Sequence, residues 1–251
     1  MSIYGVRDAL LESKRAIAFT GAGVSVASGI PDFRSREGIW ARYPPEEFGT
    51  IEAFVADPVR WWEFFRALAT SFAAVAPNPA HQALAELERL GCLQTVVTQN
   101  IDRLHQRAGS AHVIELHGSS ERLKCLTCEK VIPTPAPQEG PLPRCQTCAE
   151  VLKPDVVLFG ELLPLAPLEE AQALARGSDL CLVVGTSAVV YPAASIPELV
   201  QRHGGTVCQI NRETTDLTHL GYVRWFVQGD AEEVLPRLVE LVRAARTSTP
   251  G

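Results

Sequence analysis

The feature that most limits what this chain can fold into is an apolar run, Ala16-Ile17-Ala18-Phe19, that enters a glycine turn, Gly21-Ala22-Gly23, almost at once. A buried strand delivered straight into such a turn presents free backbone N–H groups at its carboxyl end, an arrangement suited to a pyrophosphate. The third glycine of the dinucleotide fingerprint is absent, with Val26 in its place, so the turn alone is a weak signal. Gly29 and Pro31 then stop any helix soon after it starts, which puts Asp32, Phe33 and Arg34 on a loop beside the turn.

The rest of the chain repeats the strand-then-helix order. Residues 3–15 have helical spacing, with Lys14 and Arg15 near the expected C-terminal end. Apolar runs at 94–98, 113–116, 180–184, 206–210 and 223–227 read as further strands, with helices expected at 79–90, near 192–203 and at 231–245, and a frayed tail at 247–251. Short apolar strands alternating with helices predict an α/β fold, a Rossmann-like parallel sheet covered on both faces. Two segments interrupt it. Residues 36–77 carry a Trp- and Phe-rich helix that Asp57 can cap and Pro58 can open, and 121–152 is rich in cysteine and proline. The expected organisation is a discontinuous nucleotide-binding domain (1–35, 78–120 and 153–251) and a small domain made of a helical module (36–77) and a ribbon (121–152).

Within the ribbon, Cys125-x-x-Cys128 and Cys145-x-x-Cys148 are separated by sixteen residues. Two such knuckles close a tetrahedron around zinc, and four thiolates leave no open position for water or substrate, so the metal is expected to be structural. Cys92, Cys181 and Cys208 stand singly in or beside apolar runs and are expected to be buried. The N-terminus lacks the pattern of an export signal and no apolar run is long enough to span a bilayer, which makes the cytoplasm the expected compartment. A net charge of −6 disfavours nucleic-acid coating as the main business.

Polar residues gather just after the strands: Gln99, Asn100, Ile101 and Asp102; His117 before Gly118; Gly185, Thr186 and Ser187; and Asn211. In open parallel sheets ligands bind at the carboxyl ends of the strands, so these clusters are expected to converge on the glycine turn. Singly each is as compatible with a turn or cap as with a ligand contact. His117 is the candidate general base, since its ordinary pKa lies near neutrality.

Taken together, the segment from Gly21 to Arg34, Thr98-Gln99-Asn100-Ile101-Asp102, His117-Gly118, the paired Cys-x-x-Cys, Lys153-Pro154-Asp155-Val156-Val157-Leu158-Phe159-Gly160-Glu161, Gly185-Thr186-Ser187 and Val190-Tyr191-Pro192 resemble the sirtuin family of NAD-dependent protein lysine deacylases, in the family's order. The resemblance implies that Gly21, Ala22, Ser25, Asp32 and Arg34 serve the NAD diphosphate and its neighbouring ribose, with Phe33 near the nicotinamide ribose. It implies a nicotinamide pocket made by Gln99, Asn100, Ile101 and Asp102, with Asn100 a catalytic residue beside His117. Gly185, Thr186, Ser187, Asn211 and Ala231 would hold the adenosine half. The acyl group would pass from lysine to ADP-ribose with loss of nicotinamide, His117 acting as base through the ribose hydroxyls, and zinc would take no part. The acetyl-lysine peptide would add as a strand between Val157, Phe159, Gly160 and Glu161 on one side and Val190 and Tyr191 on the other.

Sirtuins that prefer succinyl-lysine resemble a Phe-Tyr-x-x-Arg pattern on the inserted helix. Here the matching positions are Phe65 and Leu68, which offer a carboxylate neither a donor nor a charge, so deacetylation or removal of longer apolar acyl groups is expected. The alternatives are a zinc-containing NAD-dependent oxidoreductase and a non-catalytic zinc-ribbon binding module. No membrane partner and no direct nucleic-acid partner are expected, and the oligomeric state is not legible.

Overall fold

The structure, a computed structural model, describes residues 3–33, 35–134 and 142–247. Its centre is a six-stranded sheet formed by β1 (Ala16–Thr20), β2 (Thr95–Thr98), β3 (Val113–Glu115), β7 (Leu180–Val184), β8 (Thr206–Asn211) and β9 (Val223–Gln228), in the order β3-β2-β1-β7-β8-β9. Every neighbouring pair is parallel. β1 and β7 are buried along their whole length, as strands covered on both faces must be, which is why they read as unbroken apolar runs. One face packs on the helices Ile3–Glu12, Pro79–Arg89 and Ala231–Thr247, the other on Leu165–Gly177 and Ser195–Arg202. From β1 the chain steps outward to β2 on one side, while β7 joins β1 on the other. The carboxyl ends of β1 and β7 therefore flank the switch point of the sheet.

A second sheet is antiparallel: β4 (Gly118–Cys125) pairs with β5 (Val131–Pro133) on one side and β6 (Leu152–Val156) on the other. It shares one aromatic core with the inserted helix Pro58–Ala74, in which Trp61, Trp62, Phe64 and Phe65 pack against Leu123, Cys125 and Leu152. Both indole N–H groups find buried acceptors, Trp61 on Phe48 O at 2.8 Å and Trp62 on Leu152 O at 3.0 Å. That satisfies the polar edge of two otherwise apolar side chains. The capping expected at Asp57 is present, its carboxylate accepting from Arg60 N at 3.0 Å.

One expectation changes. The first helix ends at Glu12 and not near Lys14 and Arg15, because Asp179, just before the neighbouring strand β7, takes the N–H groups of both (3.0 and 3.1 Å) and turns the chain into β1. The end of the expected tail, 248–251, falls outside the described residues. Cys92, Cys181 and Cys208 are buried as expected. Among the described residues no helix is long and apolar enough to cross a membrane.

Candidate active site

A cavity of about 830 Å³ opens at the switch point. Its floor depends on two glycines. Gly23 donates its N–H to Gly185 O at 2.8 Å, and a Cβ on Gly23 would lie 2.7 Å from that oxygen. Gly185 has φ +58°, and a Cβ there would come within 2.4 Å of Val24 N. The two strand ends touch only because neither carries a side chain. After the turn the chain forms the 3-10 helix Ala22–Ser28, which Gly29 ends in a left-handed conformation.

Most of the residues expected at a site line this one cavity. Gly21, Ala22, Asp32 and Phe33 stand on the turn and its loop, Gln99, Asn100, Ile101 and His117 on the ends of β2 and β3, and Gly185, Thr186, Ser187, Asn211 and Ala231 on the far half. Val157, Phe159, Gly160, Glu161, Val190 and Tyr191 form two facing lips, and Phe65 and Leu68 lie on the wall formed by the inserted helix. Arg34 lies outside the described residues. Ser25 and Asp102 are not on the wall. They are buried behind Asn100, where Ser25 Oγ donates to Asp102 Oδ2 at 2.7 Å.

Asn100 is held from three directions. Its backbone N–H goes to Thr98 Oγ1 (3.0 Å), and its Nδ2 goes to Gly21 O (3.2 Å) and Ser25 Oγ (3.1 Å). Gln99 bridges the two halves of the sheet, donating to Thr186 Oγ1 at 2.9 Å. His117 Nδ1 lies 3.0 Å from Gln99 O, and since a carbonyl only accepts, Nδ1 carries the proton and Nε2 keeps its lone pair. Burial pulls the His117 pKa below the ordinary histidine value, against the opposing effect of the Gln99 carbonyl, so the ring stays neutral and able to accept a proton at pH 7. Asp102 is shifted the other way: burial raises its pKa, and the bonds from Leu104 N–H and Ser25 only partly offset this.

Two histidines that the sequence did not single out complete the layer behind Asn100. His81 Nδ1 accepts the Asn78 N–H (3.3 Å) within a helix-capping box, so its Nε2 is protonated and donates to Ser25 Oγ (3.3 Å). His105 Nε2 reaches Thr20 Oγ1 at 2.9 Å, and Thr20 in turn bonds Thr98. The two rings meet edge to face at 4.9 Å, and burial lowers both pKa values, His81 to about 4. The signal for His81 was present in Asn78-Pro79-Ala80-His81 as a helix start. Nothing in the sequence said that its ring would point at the cofactor turn.

The wall formed by the inserted helix is apolar and aromatic. Phe65 is stacked on Trp61 (5.4 Å, 11° between planes), so it is both a core residue and a wall residue. Arg66 turns away, its guanidinium 5.7 Å from the Trp62 ring. A row of rings, Phe33 to Trp40 (5.3 Å) and Trp40 to Phe159 (6.4 Å), links the cofactor loop to the lip.

In the ribbon, the Sγ atoms of Cys125, Cys128, Cys145 and Cys148 all lie within 4.8 Å of one another. Zn–S bonds of about 2.3 Å in a tetrahedron put sulfurs about 3.8 Å apart, so the cage has the size zinc requires. The two knuckles are built alike. Cys125 N–H bonds Lys130 O and Cys145 N–H bonds Glu150 O, and the residue after each second cysteine, Glu129 and Ala149, has φ of 56° and 61°. The donor set fits a closed structural zinc.

Comparison with known proteins points to one family. The family model described as Sir2 family matches residues 21–192. An NAD-dependent protein deacylase of Pyrococcus furiosus is 49% identical over 246 residues, covering 95% of this chain and 97% of that protein. Among solved structures, a Sir2 homologue in complex with NAD superposes with a TM-score of 0.91 at 44% identity, covering 96% of this chain and 94% of that one. Sir2Af2 bound to a myristoylated histone peptide superposes at 0.80 with 39% identity, covering 98% of both chains.

Proposed function

The chain belongs to the Sir2 family, the sirtuins, and from that premise we propose that it removes acyl groups from lysine side chains of proteins, with NAD as co-substrate, through the cavity at the switch point. It is an NAD-dependent protein deacylase with one structural zinc in the four-cysteine ribbon. The observation that carries the reading of the site is that a neutral His117, with Nδ1 committed to Gln99 O, shares one cavity with the glycine turn, Asn100 and the two lips.

Bound NAD would supply an electrophilic ribose carbon and nicotinamide as its leaving group. Gly21, Ala22, Thr186 and Ser187 would hold the diphosphate and riboses, while Asn211 and Ala231 would take the adenosine end. Asn100, fixed through Nδ2 and its own N–H, would orient the nicotinamide carboxamide together with Ile101, and the buried Ser25–Asp102 pair would act through Asn100 and not by direct contact. Phe33 and Trp40 would keep water from the reacting carbon. His117 Nε2 would accept the proton released from the ribose hydroxyls as the acyl carbon is attacked. Facing lips at 157–161 and 189–191 would receive the peptide as an added strand. With no donor at Phe65 or Leu68, acetyl and longer apolar acyl groups are the preferred cargo. The division into 1–35, 78–120 and 153–251 as the nucleotide-binding domain, with 36–77 and 121–152 as the small domain, is supported by the aromatic core that the two inserts share, although β4 and β6 reach past those limits.

The test is nicotinamide release from NAD, followed with and without an acetyl-lysine peptide. Release should require the peptide and should produce no absorbance of reduced cofactor, which separates the reaction from that of an oxidoreductase. His117→Ala should lower turnover by about 10²–10⁴-fold, the usual worth of a positioned general base. Turnover within tenfold of the parent would remove His117 from this role.

A further inference from the structure

The lip at 157–161 is organised around a lysine for which the chemistry above has no use. Lys153, on β6, is only 2% exposed, an unusual position for an ammonium group. Its three N–H donors are all spoken for: Nζ lies 3.1 Å from Pro154 O and 2.9 Å from Glu161 Oε2, and it also bonds Val156 O. Glu161 Oε2 accepts the Leu158 N–H as well, at 2.9 Å, and Glu161 N–H returns to Leu158 O at 3.0 Å. One buried charge thus gathers the carbonyl that enters the lip and the carboxylate at its far end.

The lip is tied to the body on its other sides. Val157 N–H bonds His117 O at 2.9 Å, next to the candidate base, and Phe159 exchanges bonds with the helical module, donating to Gly49 O (2.8 Å) and accepting from Ile51 N (2.9 Å). Gly160 sits at φ +91°, a left-handed conformation open to glycine and costly for a residue with a side chain. An apolar residue of the same length at 153 would suit a buried position at least as well as an ion pair does. What the ion pair adds is direction, because Lys153 fixes the Pro154 and Val156 carbonyls that lead into the lip and the Glu161 carboxylate, which in turn holds the Leu158 N–H.

We propose that Lys153 is a positioning residue for the acyl-peptide, its buried ammonium holding 157–161 in the shape against which the peptide backbone pairs. The inference rests on the reading that the peptide lies between the two lips. Desolvation lowers the lysine pKa and the Glu161 carboxylate opposes it, as expected of a charge kept in place by its partner. Because the lip would contact substrate equally before and during reaction, loss of its shape weakens uniform binding and leaves the chemical step alone.

The experiment is steady-state kinetics of Lys153→Met with an acetyl-lysine peptide and NAD, run beside Tyr191→Ala on the opposite lip. Lys153→Met should raise the peptide KM by about tenfold or more, with kcat at saturating peptide and the KM for NAD within about twofold of the parent. If Lys153→Met does not fold, Lys153→Gln, which keeps an N–H donor but no charge, takes its place and should show the same split at near-parental Tm. An unchanged peptide KM in the lysine variant, with a raised one in Tyr191→Ala, overturns the role of Lys153 and leaves the groove in place. Unchanged KM in both overturns the groove reading and the inference with it. Loss of kcat, both KM values and Tm together would mark Lys153 as merely structural and overturn the proposal.

Discussion

The proposed acyl preference rests on what the wall beside the inserted helix lacks. Where an acyl chain would extend, the cavity is lined by Phe48, Trp61, Phe64, Phe65, Leu68 and Leu158. The nearest arginine in sequence, Arg66, stacks on Trp62 and is not on the wall. A succinyl group would bring a carboxylate into this apolar surround, and among the described residues of that wall there is no cation to meet it. An uncompensated buried charge costs about 3–5 kcal/mol. At about 1.4 kcal/mol per factor of ten, kcat/KM on succinyl-lysine should fall about 10²–10⁴-fold below that on acetyl-lysine. The assay is nicotinamide release with one peptide carrying acetyl, butyryl, octanoyl or succinyl on the same lysine. No uncharged chain should fall more than about tenfold below acetyl, since each added methylene that finds room buries apolar surface at about 0.8 kcal/mol in its favour. Phe65→Tyr with Leu68→Arg should narrow the succinyl deficit, although Phe65 stacks on Trp61 and the added hydroxyl must point into the cavity. Parental activity on succinyl-lysine within tenfold of that on acetyl-lysine would refute the reasoning.

Three further outcomes are expected. The acid limb of kcat/KM against pH should fall below the ordinary histidine value of about 6.5, because burial lowers the His117 pKa; a limb at or above 6.5 would contradict the site geometry. Folding stability should decrease as pH drops from about 6.5 towards 4: His81 and His105 stay neutral in the fold while the unfolded chain protonates them, so the unfolded state binds more protons throughout that window. For His81 alone the loss is on the order of 3 kcal/mol, and His81→Gln should flatten the denaturant midpoint measured against pH; an unchanged slope would refute this. Purified protein should carry one zinc per chain by elemental analysis, and removing it with a chelator should lower Tm by about 5 °C or more without any change in chemistry attributable to the metal; metal-free protein of equal stability would refute the assignment.

Much of this molecule is legible in one dimension because its signals are local. A strand buried on both faces must be an apolar run, a turn that approaches another backbone must be glycine, and a zinc knuckle needs two cysteines at fixed spacing, so 16–19, Gly21 and Gly23, and the four ribbon cysteines could be read in place. The strand-end residues Gln99, Asn100, His117 and Asn211 could be grouped because a parallel sheet gathers the carboxyl ends of its strands on one edge. The end of the first helix is not legible in this way, because Asp179, the residue that ends it, is remote in sequence and is brought there only by β7.

What only the tertiary structure decided is the depth at which each polar group lies. Ser25 and Asp102 read like cofactor contacts but form a buried layer behind Asn100, because the 3-10 helix turns Ser25 inward onto His81. Lys153 reads as one more charge in a motif, and it proves to be a desolvated ion whose partners are the Pro154 and Val156 carbonyls leading into the lip and Glu161. Sequence spacing records which face of an element a residue occupies. Whether that face meets water, a ligand or another buried polar group depends on which distant elements pack against it, and that is fixed only when the sheet, the helical module and the ribbon close around the cavity.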